Sequence, residues 1–278
     1  MVGRSRLDAE LVRRGLARSR EEAWSLVGAG RVKVDGAVAS KPATNVSPDV
    51  PIVVAEAVDD PRYASRGAYK LVGALDAFQS DGLLVEGRRC LDAGASTGGF
   101  TDVLLRRGAA HVVAVDVGYG QLAWSLRTDP RVHVVDRTNV RDLTPELVGG
   151  RVDVLVADLS FISLSLVLPA LQSCVKDDGD LLLMVKPQFE VGRDRLGSGG
   201  VVRDPAVRRD AVRAVAQRGA GLGLAVCGVV ASPLPGPSGN VEYFLWMRPG
   251  PPAVDGGERL DAAGVDDAID RAIDEGPQ

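Results

Sequence analysis

From residue 88 onward, short apolar segments alternate with stretches compatible with helices: Cys90 to Ala93, Val112 to Val115, Val132 to Val135, Val152 to Ala157 and Leu181 to Val185. Alternation of this kind specifies a mainly parallel sheet covered by helices on both faces. In such sheets functional groups gather at the carboxyl ends of the strands. Two further strands are predicted at Leu222 to Val230 and Tyr243 to Met247. The connection Ser232 to Asn240 is too short to hold a crossover helix, so these two strands are expected as an antiparallel edge pair. The result is a seven-stranded α/β sheet.

The turn after the first of these strands reads Leu91-Asp92-Ala93-Gly94-Ala95-Ser96-Thr97-Gly98-Gly99-Phe100, and Thr101 to Arg107 supplies the following helix. Glycines let backbone approach a ligand closely, which gives the loop the shape of a nucleotide-cofactor site. The spacing is D-x-G-x-x-x-G-G rather than G-x-G-x-x-G. A carboxylate at Asp92 would repel a pyrophosphate but welcome a cationic methionine moiety, which favours S-adenosylmethionine over a dinucleotide. Asp116, at the end of the second strand, is placed to accept the ribose hydroxyls of an adenosine cofactor. Asp136, at the end of the third, is placed to reach the adenine. The candidate cofactor residues are therefore Asp92, Gly94, Ser96, Thr97, Gly98, Gly99, Phe100, Asp116 and Asp136.

Residues 5–54 form a unit of their own. Leu7, Leu11 and Val12 have helical spacing, and Ser19 followed by Glu21 and Glu22 opens a second helix with acid in its first turn. Gly28 and Gly30 end that helix, and Arg31 to Val38 alternates as a strand hairpin around Asp35-Gly36. Basic side chains gather here and at the start of the next unit. Arg4, Arg6, Arg13, Arg14, Arg18, Arg20, Lys33 and Arg66 are the candidate RNA contacts.

The formal net charge of -4 would argue against such a partner. Residues 249–278, however, carry eight acids and two arginines, a local -6, so residues 1–248 hold +2. This tail opens with Pro-Gly-Pro-Pro, has low apolar content, and reads as a disordered, solvated appendage with at most a short helix near Val265 to Ile273.

Other chemistries find no footing in the sequence. Cys90, Cys174 and Cys227 are scattered through apolar segments without C-x-x-C spacing, and His111 and His133 have no third ligand at helical or strand spacing. No metal site is expected. No apolar run approaches the roughly 18 residues of a spanning helix, and the start lacks a secretory signal, which reads as a cytoplasmic protein without a membrane partner.

The fourth strand ends Val156-Ala157-Asp158-Leu159-Ser160-Phe161, without the N/D-P-P-Y pattern of amino-directed methyltransferases and without a cysteine for a covalent adduct. A hydroxyl is then the remaining nucleophile. Lys186 closes the fifth strand and faces the same crevice as Asp158. The chain has only 5 lysines against 28 arginines, which makes that placement pointed. Its ammonium could stabilise an oxyanion, or its neutral amine could accept a proton.

The segment R-L-D-A-E-L-V-R-R-G-L-A-R-S-R-E-E-A with G-R-V-K-V-D-G resembles the small RNA-binding domain named after ribosomal protein S-four. The segments S-R-G-A-Y-K-L, L-D-A-G-A-S-T-G-G-F-T-D, V-A-D-L-S-F-I-S-L, M-V-K-P-Q-F-E and N-V-E-Y-F resemble the FtsJ-like 2′-O-methyltransferases, and the two modules together resemble the TlyA subfamily. The resemblance implies a Rossmann-like methyltransferase sheet behind a small α+β RNA-binding domain. It also implies a Lys-Asp-Lys-Glu tetrad at Lys70, Asp158, Lys186 and Glu242, S-adenosylmethionine as methyl donor, and 2′-O-methylation of cytidines in 16S and 23S ribosomal RNA within ribosomal subunits. Lys70 and Glu242 read as ordinary surface residues without it. Competing readings are an inert RNA-binding assembly factor and, from the name borne by some members, a haemolysin. The expected layout is an RNA-binding domain over 1–58, a linker over 59–66, a methyltransferase domain over 67–248 and the tail over 249–278, acting as a monomer.

Overall fold

The structure, a computed structural model, describes residues 4–17, 19–28, 30–55, 63–236, 238–251 and 259–276, apart from the side chains of Ser25 and Arg193. Arg18 and residues 59–62 of the expected linker lie outside the described residues. The chain divides into two compact units, Met1–Arg62 and Tyr63–Gln278.

In the first unit, β1 (Ser5–Arg6) pairs with β4 (Asn45–Val46), and α1 (Leu7–Arg13) and α2 (Arg20–Gly28) follow the two predicted helices. The Ser19 hydroxyl accepts the Glu22 backbone N–H at 3.1 Å, the N-cap expected at that position. β2 (Val32–Val34) lies between β3 (Ala37–Val38) and β5 (Ile52–Val54). Asp35 and Gly36 both have positive φ, 50° and 81°, as a two-residue type I′ hairpin turn requires. Leu7, Leu11, Ala23, Val27 and Val32 form the small core.

Asp8 and Glu10 are also buried, and they engage several of the predicted RNA arginines. Arg6 and Trp24 donate to Asp8, and Arg13 and Arg14 donate to Glu10. The hydrogen bonds from Arg6 hold Asp8 well below the usual carboxylate range, and those from Arg13 and Arg14 do the same for Glu10. Arg14 also donates to the carbonyls of Val50 and Pro48 and is only 21% exposed, so its contacts are those of a structural tie. Arg13 remains 62% exposed and Arg20 61% exposed, while Arg4 and Lys33 are exposed on the same unit.

The second unit is built on seven strands: β6 (Arg89–Ala93), β7 (His111–Val115), β8 (Val132–Val135), β9 (Val152–Ala157), β10 (Val175–Val185), β11 (Leu224–Ala231) and β12 (Tyr243–Pro249). Their spatial order is β11-β12-β10-β9-β6-β7-β8. β8, β7, β6, β9 and β10 are mutually parallel in sequence of contact, and β12 runs antiparallel to both β10 and β11. The last two strands do pair antiparallel as predicted, but only β11 is an edge. β12 inserts between β11 and β10, a position that suits Tyr243 to Met247, which are buried without a break.

Helices cover both faces. α3 (Ala68–Phe78), α4 (Gly99–Arg106) and α5 (Trp124–Arg127) pack on one, and α6 (Leu164–Ser173) and α8 (Pro205–Ala220) on the other. The tail departs from its expected form. Ala262–Glu275 is a fourteen-residue helix, here α9 because the short α7 (Pro187–Glu190) precedes α8. Asp261 caps it by accepting the Gly264 N–H at 2.7 Å. Ile269, Ala272 and Ile273 are buried in the sheet's core, and Ala268 is buried beside them. The acids that looked like a solvated run face arginines of α8: Asp266 pairs with Arg213 at 2.8 Å, and Asp270 pairs with Arg209. Four apolar residues suffice because helical spacing gathers them on one stripe.

Candidate active site

The glycine loop joins the end of β6 to α4. Gly94 has φ +88°, and a Cβ there would lie 2.6 Å from the Asp158 carbonyl oxygen, so this position requires glycine and brings the loop against the end of β9. Gly98 has φ +98° and caps α4, where a Cβ would collide with Leu126. Gly99 packs against Ser65 and the start of α3 in the same way. Phe100 and Thr101 are buried beneath the loop, and Ser96 and Thr97 are exposed on it.

Asp92 is fully buried at the foot of this loop. Its Oδ2 accepts the Thr101 hydroxyl at 2.7 Å, while Oδ1 has no donor within the protein. Burial pushes its carboxyl up to about 7. A buried carboxylate oxygen without a donor, beside backbone that has been cleared of side chains, fits the cationic amino group of a bound amino-acid moiety.

Asp116, just past β7, accepts the N–H of Ser96 at 2.8 Å on Oδ2 and that of Gly118 at 2.7 Å on Oδ1, which ties the turn after β7 to the glycine loop. Asp136, just past β8, takes Arg127 at 2.5 Å and the Gly120 N–H at 3.3 Å, both on Oδ2. The Arg127 bond holds its pKa below the usual carboxylate value. Asp136 thus shapes the 118–127 turn and offers only Oδ1 outward.

Ladder register gathers three of the four candidate catalytic positions. Leu183 pairs with Ala157, and Val185 pairs with Tyr243, so Asp158, Lys186 and Glu242 sit at the same end of three adjacent strands. Lys186 Nζ lies 2.6 Å from Asp158 Oδ1 and donates to Ser160 Oγ at 3.0 Å. Lys70, in the first turn of α3, lies 2.5 Å from Glu242 Oε2. Gly73 of α3 rests on Pro233, where a Cβ would stand 2.7 Å from the ring, and this close packing delivers Lys70 to the turn before β12. Lys70 and Glu242 are thus buried, not surface residues.

Several contributing groups carried no sequence signal of their own. Ser160 and Phe161 lie two and three residues after Asp158, yet composition and spacing do not separate an exposed phenylalanine from a core one. Phe161 is 91% exposed, has φ +64°, and lies 5.3 Å from the Phe189 ring, centroid to centroid. A bulky residue held in the left-handed region and turned to solvent departs from ordinary packing. Arg66 is exposed just before α3. Among the described residues, no three His, Cys, Asp or Glu side chains converge as a metal site would need, and no helix is long and apolar enough to cross a membrane.

A glycine loop with a buried acid, followed by paired lysines and carboxylates at the carboxyl end of a seven-stranded sheet, defines a Rossmann-like methyltransferase. The description "FtsJ-like methyltransferase" matches residues 63–249 and "S4 domain" matches residues 5–52, and the chain belongs to the FtsJ-like methyltransferase family. It is 62% identical over 278 residues, 100% of both chains, to the 16S/23S rRNA (cytidine-2'-O)-methyltransferase TlyA of Mycobacterium tuberculosis. It is 35% identical over 240 residues to "Hemolysin A" of Brachyspira hyodysenteriae, covering 86% of this chain and 98% of that one. A solved structure of a hemolysin-labelled protein from Streptococcus thermophilus matches with a TM-score of 0.74 at 35% identity, covering 99% of this chain and 98% of its own.

Proposed function

We propose that this protein transfers a methyl group from S-adenosylmethionine to the ribose 2′-hydroxyl of cytidine in ribosomal RNA. The observation that carries this reading is the pair of bridges Lys186–Asp158 and Lys70–Glu242, which hold two ammonium groups beside the glycine loop. A ribose hydroxyl is a weak nucleophile near neutral pH, and its reaction needs stabilisation of the developing oxyanion and alignment with the methyl group. When bound, S-adenosylmethionine supplies an electrophilic methyl group on a sulfonium. Asp92 would receive its amino group and Asp116 its ribose.

Lys186 donates one N–H to Ser160 and is ion-paired with Asp158, and a remaining N–H serves the 2′-oxygen. Lys70, fixed by Glu242, adds a second positive charge. Asp158, the most exposed of the four at 23%, is the group through which the hydroxyl proton leaves to water. The reading is tested with purified protein, ribosomal subunits and methyl-labelled S-adenosylmethionine. Label should enter rRNA at an alkali-resistant linkage; unlabelled RNA, or an alkali-sensitive linkage at the modified nucleotide, refutes it.

Phe161 supplies a flat apolar face three residues beyond Asp158, suited to stacking an unpaired base. Phe161→Ala should weaken binding of an rRNA fragment by about 1–3 kcal/mol in fluorescence anisotropy, with cofactor affinity unchanged. Arg6, Arg13 and Arg20 keep solvent-facing guanidinium groups despite their ion pairs and are the phosphate contacts favoured on the first unit.

Asp92 makes cofactor binding pH-dependent. Its folded pKa of about 7 exceeds the usual carboxylate value, so between pH 4 and 7 the folded chain holds a proton that the unfolded chain has released. The ligand-free fold is therefore destabilised as pH rises through that window. A cationic amino group favours ionised Asp92, so binding below pH 7 should expel a proton, and affinity should rise from pH 6 to 7.5. Calorimetry in two buffers of different ionisation enthalpy reads this directly; identical heats at pH 6 would contradict it.

A further inference from the structure

Asn240 is buried, at 2% exposure, two residues before Glu242. Its side-chain oxygen accepts the Val202 N–H at 2.9 Å, and its side-chain NH2 donates to the Gly200 carbonyl at 3.1 Å. The amide thereby satisfies one donor and one acceptor of the segment that joins α7 to α8. Only an amide presents both groups in this arrangement. The same residue organises the turn on its other side. Its backbone carbonyl accepts the Gly236 N–H at 2.8 Å, and Gly236 faces the Glu242 carboxylate so closely that a Cβ would stand 2.5 Å from Oε1. Glu242 Oε1 is buried and has no protein donor. The direction of this carboxylate is therefore set by Lys70 at Oε2 and by the backbone that encloses it.

We propose that Asn240 is a positioning residue for methyl transfer. It ties the segment that follows Lys186 to the turn that presents Glu242, and so fixes the two lysine–carboxylate bridges relative to each other. The inference rests on the RNA 2′-hydroxyl reading above. It assigns Asn240 no contact with RNA or cofactor. Displacement of a reacting group by about 1 Å can cost on the order of 100-fold in rate, so a loosened Glu242 should show in turnover before it shows in binding.

The test compares Asn240→Ala, which loses both side-chain bonds, with the isosteric Asn240→Asp, which keeps the acceptor for Val202 and loses the donor to Gly200. Single-turnover methylation of ribosomal subunits should slow at least about tenfold in Asn240→Ala and also in Asn240→Asp, where a buried carboxylate oxygen faces the Gly200 carbonyl in place of a donor. Dissociation constants for S-adenosylmethionine should stay within twofold, and hydrogen exchange at the Val202 amide should quicken in Asn240→Ala. Wild-type rates in both variants overturn the proposal. A rate loss matched by equal loss of cofactor affinity and of melting temperature in both variants overturns it as well, since that is the signature of general unfolding. Wild-type protein in the same assay separates the two levels: absence of label there removes the methyltransferase reading and this inference with it, whereas label that the variants do not diminish removes this inference alone.

Discussion

Lys186→Ala is expected to lower the rate of RNA methylation by about 100- to 1000-fold, the loss that follows removal of one preorganised donor at a developing oxyanion. The bonds of Lys186 run to Asp158 and Ser160 at the end of the sheet, and none runs to Asp92 or Asp116, where the cofactor reading lies. Affinity for S-adenosylmethionine should therefore stay within twofold by calorimetry. Lys186→Arg should not restore the rate, because a planar guanidinium cannot reproduce the compact ammonium between Asp158 and Ser160. The fold should survive, since Asp158 is open enough to be hydrated once its partner is gone. Wild-type turnover in Lys186→Ala would remove the lysine from the chemistry altogether.

Deleting residues 260–278 is expected to have the largest effect on stability. Ile269 and Ile273 are each buried to 2% exposure or less, with Ala268 and Ala272 beside them. At about 1.5–3 kcal/mol for each large side chain, the helix contributes on the order of 5 kcal/mol, a sizeable share of the roughly 5–15 kcal/mol that holds a typical domain together. At about 2–4 °C per kcal/mol for a unit of this size, the melting temperature should fall by about 10–20 °C. Scanning calorimetry of the deletion and of Ile269→Asp would show it. Asp266→Asn and Asp270→Asn should shift the melting point little, because their ion pairs with Arg213 and Arg209 are half-exposed and such pairs contribute only about 0–1 kcal/mol. An unchanged melting temperature after the deletion would mean that the tail is the solvated appendage its composition suggests.

That contrast marks the boundary of what composition can convey. A local charge of -6 with few apolar residues describes both a free tail and a helix whose single stripe is buried, and only the receiving surface on β11 and α8 distinguishes them. The strands behave oppositely. Val154 to Ala157 and Tyr243 to Met247 are apolar on both sides of the pleat, and their length and residue types suffice to find each as a strand. Where β12 lies among its neighbours was not legible, because antiparallel return beside β11 leaves its other edge free to join either solvent or β10.

The same division runs through the site. Asp92, Asp116, Asp158 and Lys186 stand at strand ends, and strand ends share one side of a parallel sheet, so their proximity follows from the alternation of the chain. Lys70 and Glu242 are separated by 172 positions and meet through the packing of α3 on the sheet, with Gly73 against Pro233. The arginines of the first unit show the converse error. Their clustering signals RNA, yet the buried Glu10 and the carbonyls of Val50 and Pro48 reserve Arg14 for the fold. By itself the sequence determined the sheet, the cofactor loop and the strand-end acids, since these depend on periodicity and local turn chemistry. The tertiary structure alone decided which charges are buried in pairs, which helix face is covered, and which aromatic ring is left in solvent, because each depends on side chains brought together from distant parts of the chain.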